Sequence, residues 1–311
     1  MNNEKIAILL LTYNPDWLKL KRTIYSIICQ KGVSFSLVIS DDGSNNDCFA
    51  MAEKYLKENN FHRYKFIKNE QNVGTVKNIL TGLSEIHEEY VKLISPGDFF
   101  FDENTLRNTV DFLTGNQCSA CFGDVYTYNS KCIISKLNNP RDLTPYITEN
   151  LKKQRYNFFR KADFIVGAAL VYNTNRLNYW LKNLSSLIKY TEDTTTIAEM
   201  LAHNEIVKYM PIKDTGFVWY EIGTGISTNG DNAWVKIINS EIKTVFRILY
   251  EQHCISKIDL EINYSERKLK RVFLKLFLIP YTIFTHKLRR NFYIVNNSLI
   301  QNKIKKILKV R

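Results

Sequence analysis

Val38-Ile39-Ser40-Asp41-Asp42-Gly43-Ser44 is the stretch on which the reading of this chain turns. The apolar run leading into it, Ser36-Leu37-Val38-Ile39, is long enough for a buried strand and too short for a helix. Two carboxylates follow, then a glycine, then a serine able to cap whatever comes next. Open α/β sheets bind their ligands at such a place, outside the carboxyl end of a strand. The same residues also read as an Asp-Gly turn that merely ends a strand. The flanking sequence decides between the two.

Upstream, Ile6 to Leu11 reads as another buried strand, leaving through the polar, proline-bearing Thr12-Tyr13-Asn14-Pro15. Between the strands, Asp16 to Gln30 places Trp17, Leu18, Leu20, Ile24, Ile27 and Ile28 at helical spacing. Downstream, Phe49 to Glu58 is a second helix and Tyr64 to Ile67 a third strand. The order β-α-β-α-β is that of a parallel sheet with crossover helices. Asn72-Val73-Gly74 then ends a loop, and a helix starts near Thr75 with Val76, Ile79, Leu80, Leu83 and Ile86 as its stripe. Lys77 and Asn78 flank that stripe near the helix start, where a lysine suits phosphate. A solvated lysine is the plainer alternative.

Tyr90 to Ile94 is the next strand and exits into Ser95-Pro96-Gly97-Asp98, with Asp102 as N-cap of a helix through Leu113. Ala120 to Tyr128 reads as one strand, and 129–163 as loops with one helix. Strand character returns over Phe164 to Tyr172, where Gly167-Ala168-Ala169 marks close approach of something to the backbone. Asn175 to Ile188 is an amphipathic helix. Tyr190-Thr191-Glu192-Asp193 opens another, where two carboxylates suit the positive end of the helix dipole whatever else they do. Strands at Ile206 to Met210 and Phe217 to Glu221 follow. The turn-rich Ile222 to Gly230 has glycines that would let amides approach a phosphate.

A chain of 311 residues has room for one large domain with an appendage, or for two. Its 45% hydrophobic content is that of a globular protein. Of six cysteines only Cys118 and Cys121 form a C-x-x-C; no partner pair follows at zinc spacing, so they read as structural thiols. Met1-Asn2-Asn3-Glu4-Lys5 runs directly into the first strand without a signal-peptide pattern, so a reducing, cytoplasmic setting is expected. Charge is distributed unevenly. Residues 257–311 hold 14 Lys and Arg against 3 Asp and Glu, nearly all of the chain's net +12. Such asymmetry points to an anionic partner of the tail, lipid or nucleic acid.

Taken in order, Thr12-Tyr13-Asn14, Asp41-Asp42-Gly43-Ser44, Asn72-Val73-Gly74, the turn at Asp98, and Glu192-Asp193 resemble the family-two glycosyltransferases. These are inverting enzymes that use nucleotide-diphospho-sugars, and the resemblance extends over roughly residues 4 to 230. It implies an α/β GT-A fold, Rossmann-like, with a mixed, mostly parallel sheet flanked by helices. Residues 1–232 would form the catalytic domain and 233–311 a basic amphipathic helical C-terminal region. By the same resemblance Thr12 and Tyr13 line the nucleobase pocket, Asp41 accepts a hydrogen bond from uracil or thymine, and Asn14 and Asp42 belong to the nucleotide-binding set. Lys77 and Asn78 lie near the nucleotide. Asp98, on the turn with Ser95 and Gly97, holds Mg²⁺ or Mn²⁺ against the diphosphate. Asp193 is the general base, with Glu192 at its side. Ser95 and Gly97 stand where acidic residues are common in the family, which leaves Asp98 alone in the metal turn.

The tail continues with a helix over Trp234 to Tyr250. From Ser265 basic and apolar residues interleave, and the longest charge-free stretch, Leu276 to Thr285, is half of what spans a bilayer. A basic amphipathic helix on an anionic leaflet fits this pattern, with Lys303, Lys305, Lys306, Lys309 and Arg311 extending the positive surface. A helical cap on the catalytic domain, or on a second subunit of a homo-oligomer, fits it too. The expectation is therefore a hexosyltransferase-type enzyme with a UDP-sugar donor and a lipid-linked glycan acceptor, as in assembly of bacterial surface or capsular polysaccharide. It would lie peripherally on the inner face of the plasma membrane. A basic nucleic-acid- or membrane-binding protein without transferase activity is the alternative; against nucleic acid, no recognition motif or basic stacking patch precedes residue 256. A Rossmann oxidoreductase lacks its glycine fingerprint, since Thr12-Tyr13-Asn14-Pro15 follows the first strand.

Overall fold

The computed structural model of the chain describes residues 5–129, 131, 133–211, 216–223, 232–265, 267–278, 292–295 and 297–310. Its centre is the run Ile6-Ala7-Ile8-Leu9-Leu10-Leu11-Thr12, strand β1 (Ile6–Thr12). Apolar side chains on both faces demand cover on both sides, which a parallel sheet sandwiched between helices provides. β1 pairs in parallel with β2 (Phe35–Asp41) on one side and with β4 (Tyr90–Ile94) on the other, and β2 pairs in parallel with β3 (Tyr64–Lys68). The helices α1 (Trp17–Ile28), α2 (Phe49–Glu58) and α3 (Thr75–Leu83) make the crossovers. Leu20, Ile24 and Ile27 of α1, and Val76, Ile79 and Leu83 of α3, are buried as their spacing predicts.

Beyond β4 the sheet becomes mixed. Its full order is β10-β6-β9-β4-β1-β2-β3, with β6 (Ala120–Phe122), β9 (Leu170–Asn173) and β10 (Val207–Tyr209) completing seven strands. β9 runs antiparallel to both β4 and β6. The strand expected over Ala120 to Tyr128 is broken at Gly123-Asp124: β6 stays in the large sheet, and β7 (Val125–Tyr128) joins a second one. That sheet has the order β12-β8-β7-β11-β5, with β5 (Phe99–Phe100), β8 (Ile134–Leu137), β11 (Val218–Glu221) and β12 (Phe292–Ile294). The expected strand over Phe164 to Tyr172 likewise shortens to β9, preceded by a 3-10 turn at Gly167–Ala169. Residues 129–163 hold β8 and the short helices α5 (Thr144–Ile147) and α6 (Leu151–Arg155), more order than weak periodicity suggested.

Helix α4 (Thr105–Gly115) starts three residues after Asp102, whose carboxylate accepts hydrogen bonds from the Asn104 N–H (3.0 Å) and the Thr105 hydroxyl (3.3 Å). Helices α7 (Thr174–Leu184) and α8 (Glu192–Ala202) follow β9. After residue 232 come α9 (Asn232–Glu251), α10 (Lys257–Tyr264), α11 (Lys268–Leu278) and a terminal helix, Ser298–Leu308. Val245, Phe246 and Leu249 of α9 belong to the same buried core as the central strands. The terminal helix inserts Ile304 and Ile307 into a separate core beneath the second sheet, among Phe99, Phe101, Tyr126, Tyr128 and Trp219.

Candidate active site

The carboxyl ends of β1 and β2 lie side by side, and their loops are tied through one carboxylate. Asp41, at the end of β2, is fully buried and accepts from the Thr12 hydroxyl (2.9 Å), the Ser44 N–H (2.7 Å) and the Ser44 hydroxyl (2.6 Å). The Ser44 oxygen in turn accepts from the Asn14 N–H (2.6 Å). Asp42 points the other way. Its two oxygens take the N–H groups of Val73 (2.8 Å) and Gly74 (2.9 Å), fastening the Asn72-Val73-Gly74 loop at the start of α3. Burial pushes the Asp42 carboxyl above its usual range, against the pull of those two amides. Asn78, one turn into α3, is buried and exchanges hydrogen bonds with Ser40: its Oδ1 accepts from the hydroxyl (2.7 Å) and its Nδ2 donates to the carbonyl (3.1 Å).

The exit of β4 supplies the second group. The Gly97 N–H donates to the Thr23 hydroxyl (3.0 Å), and its carbonyl accepts from the Tyr128 hydroxyl (2.5 Å), so the turn that carries Asp98 is held from α1 and from β7. The Asp98 carboxylate accepts from the Glu221 N–H. Beside it, Lys19 Nζ donates to Glu221 Oε2 at 2.7 Å. Behind it lies Lys92, fully buried in the middle of β4, with Nζ donating to the Ala168 carbonyl (2.7 Å) and lying 5.2 Å from the centre of the Phe217 ring. Burial raises the Asp98 carboxyl and lowers the Lys92 ammonium, and the attraction between them opposes both shifts.

The third group stands at the N-terminus of α8. Asp193 accepts from the Thr194 N–H (2.6 Å) and from the Gly167 N–H. Both Glu192 and Asp193 open onto the cleft yet are packed deeply enough that desolvation drives their carboxyls up. Glu192 rises furthest, with the Asp193 charge beside it as the next cause. The loop before them is held by Glu241 of α9. One carboxylate accepts from the N–H groups of Lys189 (3.0 Å), Tyr190 (3.1 Å) and Thr191 (3.1 Å) and from the Thr191 hydroxyl (2.9 Å).

These three groups face one cleft of about 740 Å³, a size suited to a small-molecule ligand. Of the residues singled out in the sequence, Thr12, Tyr13, Asn14, Asp42, Asn78, Ser95, Asp98, Glu192 and Asp193 line it. Asp41 lies behind the wall, and Gly97 supports the turn from below. Lys77 is exposed and lines a separate groove with Gln71 and Lys189. The glycines at 225 and 230 lie outside the described residues. Sequence reasoning passed over Lys19, Lys92, Glu221 and Glu241. Only Lys92 left a trace, as a lysine inside the otherwise apolar run Tyr90-Val91-Lys92-Leu93-Ile94.

A divalent cation in this cleft would find one cleft-facing carboxylate on the metal turn, Asp98, with Glu221 adjoining it but paired to Lys19. No group of three or more His, Cys, Asp or Glu able to hold a metal occurs among the described residues. That donor set fits a hard cation shared with a ligand's phosphates, for which one or two carboxylates suffice, and not one caged by protein alone.

Residues 7–173 match the family model described as glycosyl transferase family 2. No curated protein matches the chain at a meaningful level of similarity. Solved structures share its fold. S. aureus TarS is 17% identical with a TM-score of 0.56, covering 90% of this chain and 44% of that one. This chain therefore spans less than half of that protein. TarS 1–349 in complex with UDP-GlcNAc gives 17% identity and a TM-score of 0.59, over 90% of this chain and 73% of that one. The mannosyltransferase PcManGT from Pyrobaculum calidifontis, in complex with GDP-Man and Mn²⁺, gives 14% and 0.53, over 97% and 85%. With more than half its length matched by the family model and its strands laid out as a GT-A sheet, the chain belongs to glycosyl transferase family 2.

Proposed function

We propose that this glycosyltransferase moves a sugar from a UDP-sugar to a hydroxyl of a lipid-linked glycan, with inversion, during assembly of a cell-surface polysaccharide. The observation that carries the reading is the convergence of Asp98, Asp193 and the Thr12-Tyr13-Asn14 loop on a single cleft. Thr12, Tyr13 and Asn14 flank the nucleobase. Asp41 acts from behind, fixing the two loops on which that pocket rests, and Asp42 and Asn78 hold the start of α3 beside it. Asp98 meets the diphosphate end, where Mg²⁺ or Mn²⁺, when bound, offsets charge on the departing nucleotide. Lys19 lines the same end of the cleft, where its ion pair with Glu221 fixes the ammonium in place.

Asp193 is the base. As the acceptor oxygen attacks C1 of the sugar, its proton passes to the Asp193 carboxylate, the new C1–O bond forms, and the bond to the diphosphate breaks. Attack from the face opposite the leaving group inverts the anomeric centre. The raised carboxyl makes Asp193 a stronger base than a solvated aspartate, and the Thr194 and Gly167 amides keep it ionisable and aimed. Residues 1–232 are the catalytic domain in this reading. The basic helical region 233–311 brings it to the inner face of the plasma membrane, where a lipid-linked acceptor resides.

Thermal shift tests the donor class directly. UDP with Mn²⁺ should raise the melting temperature, and NAD should leave it unchanged. A hydrolysis screen over nucleotide-sugars then identifies the sugar. No response to any nucleotide-sugar, with or without a divalent cation, would sink the assignment.

A further inference from the structure

We infer that α11, with the basic groove at its base, is the surface by which the protein rests on an anionic lipid bilayer; this deepens the reading above, which needs a membrane-borne acceptor. Leu269, Val272, Phe273, Leu276 and Phe277 are all exposed, Leu269 by 84% and Phe277 by 68%. Their spacing, i, i+3, i+4, i+7 and i+8, puts them on one stripe of the helix. The Phe273 and Phe277 rings adjoin along it, their planes tilted by 34° and their centroids 4.3 Å apart. Lys270 and Lys275 fall at the two margins of the stripe, where long side chains can lie along apolar surface with their ammonium groups among lipid phosphates. The back of the helix is tied to α10, with Arg271 donating to the Asn263 carbonyl.

A second observation adjoins the first. A groove of about 350 Å³ between α9 and the α10–α11 corner is lined by Lys243, Arg247, Arg267 and Lys270, with Glu261 as the one carboxylate among the described residues that line it. Glu261 pairs with Lys270 at 2.7 Å, and Arg247 reaches Glu251 only at 3.9 Å on the open surface. Lys270 thus belongs both to the groove and to the margin of the apolar stripe. A cationic rim around an apolar face suits an anionic bilayer and repels a second copy of a chain carrying a net +12. The stripe lies on an 11-residue helix, and no helix among the described residues is long and apolar enough to cross a membrane, so α11 would lie in the interface plane.

The terminal helix is a different case, although its sequence looked equally suited. Its Lys303 is paired with Asp102 at 2.5 Å and its Lys306 sits 4.0 Å from Glu103, while Ile304 and Ile307 are buried. Its inward face serves the catalytic domain.

The test is flotation of the full chain with phosphatidylcholine vesicles, with and without phosphatidylglycerol, with donor hydrolysis measured on each variant in vesicle-free buffer. The wild type should float with the anionic vesicles only, and less as salt rises. Phe273→Glu/Phe277→Glu should weaken binding at least about tenfold. Arg247→Ala/Arg267→Ala should weaken it about fivefold per cation removed and flatten the salt dependence. Leu299→Glu, on the exposed side of the terminal helix, should float like wild type. Equal flotation of the phenylalanine variant, equal binding to uncharged vesicles, or no flotation of the wild type would each overturn the assignment of α11. Because hydrolysis is read separately, its absence in the wild type would fault the transferase reading and leave the vesicle result standing.

Discussion

Asp193 carries the sharpest expectation. Asp193→Asn removes the base while keeping the shape and its amide neighbours, so transfer should fall by about 10²- to 10⁴-fold. Nucleotide affinity by calorimetry should hold, since Asp193 is held by Thr194 and Gly167 and not by the nucleobase loops; transfer within threefold of wild type would remove it from the mechanism. Its pH dependence follows from the upward shift. The base works when ionised, so kcat/KM should climb with pH through a value above the ordinary aspartate range and then level. Stability should move the other way. Glu192 and Asp193 are both raised, so between the ordinary carboxylate range and the raised values the folded chain holds protons that the unfolded chain has released. Stability is therefore greatest below that window and declines as pH rises through it. Glu192→Gln takes away the more strongly shifted charge. It should raise the melting temperature at neutral pH and flatten the decline; a lowered melting temperature would show that the charge is compensated in the folded state. That two adjacent acids open a helix at Glu192 was legible in the sequence. Which of Asp41 and Asp42 faces the cleft was not, because neighbours on a tight turn point in opposite directions and the sequence carries no sign of which way.

At the scale of elements, the cleft is assembled by carboxylates that clamp loops. Asp42 holds the loop before α3, and Glu241 of α9 holds the loop before α8. Glu241→Ala leaves three amides and a hydroxyl without their partner and lets the base-bearing helix start drift. A displacement near 1 Å costs on the order of 10²-fold in rate, so kcat should drop steeply with donor KM little changed. If kcat holds, α9 is only a cover. The β2 turn has its own requirement. Gly43 sits at φ +72°, and a Cβ there would lie 2.3 Å from the backbone of Gln71. Gly43→Ala should lower unfolding free energy by about 1–3 kcal/mol, read by urea titration. Gly167 is tight for another reason: a Cβ would come within 2.6 Å of Asp193 Oδ2. The small residues Gly167-Ala168-Ala169 had announced a close approach, but only the fold names Asp193 as what approaches. The first five elements were readable because β1 and β2 are long, uninterrupted apolar runs with stripes between them. β5, β8 and β12 were not read, since two to four residues carry no period, and the split of 120–128 between two sheets leaves no compositional mark. Glu241 was invisible, lying some fifty residues from the amides it binds.

At the scale of the whole molecule, the chain returns to where its chemistry begins. The strand β5 directly follows Asp98, and the core beneath its sheet is closed by residues two hundred positions later. Arg22 of α1 donates to the carbonyls of Leu308 (2.5 Å) and Val310 (3.1 Å), and Lys303 sits 4.6 Å from the centre of the Phe101 ring while paired with Asp102. Among the described residues, the positive charge of the tail is thus divided between an inward clasp and the outward face of α11 with its basic groove. Composition reported the excess charge and could not divide it, because both helices interleave lysine with apolar residues at the same period. The clasp makes a prediction that separates the two. Ile304 is nearly fully buried among Phe99, Phe101 and Trp219, and Ile304→Ala removes that contact without touching the exposed surface. A large-to-small change in such a core costs roughly 2–5 kcal/mol. The urea midpoint should fall by the corresponding amount at unchanged m-value. Because the turn bearing Asp98 hangs from the same sheet through the Tyr128 hydroxyl, stabilisation by UDP with Mn²⁺ should weaken as well, while flotation with anionic vesicles should not. A variant with wild-type stability would place the terminal helix off this core; one that lost vesicle binding alone would reverse the division of labour between the two helices.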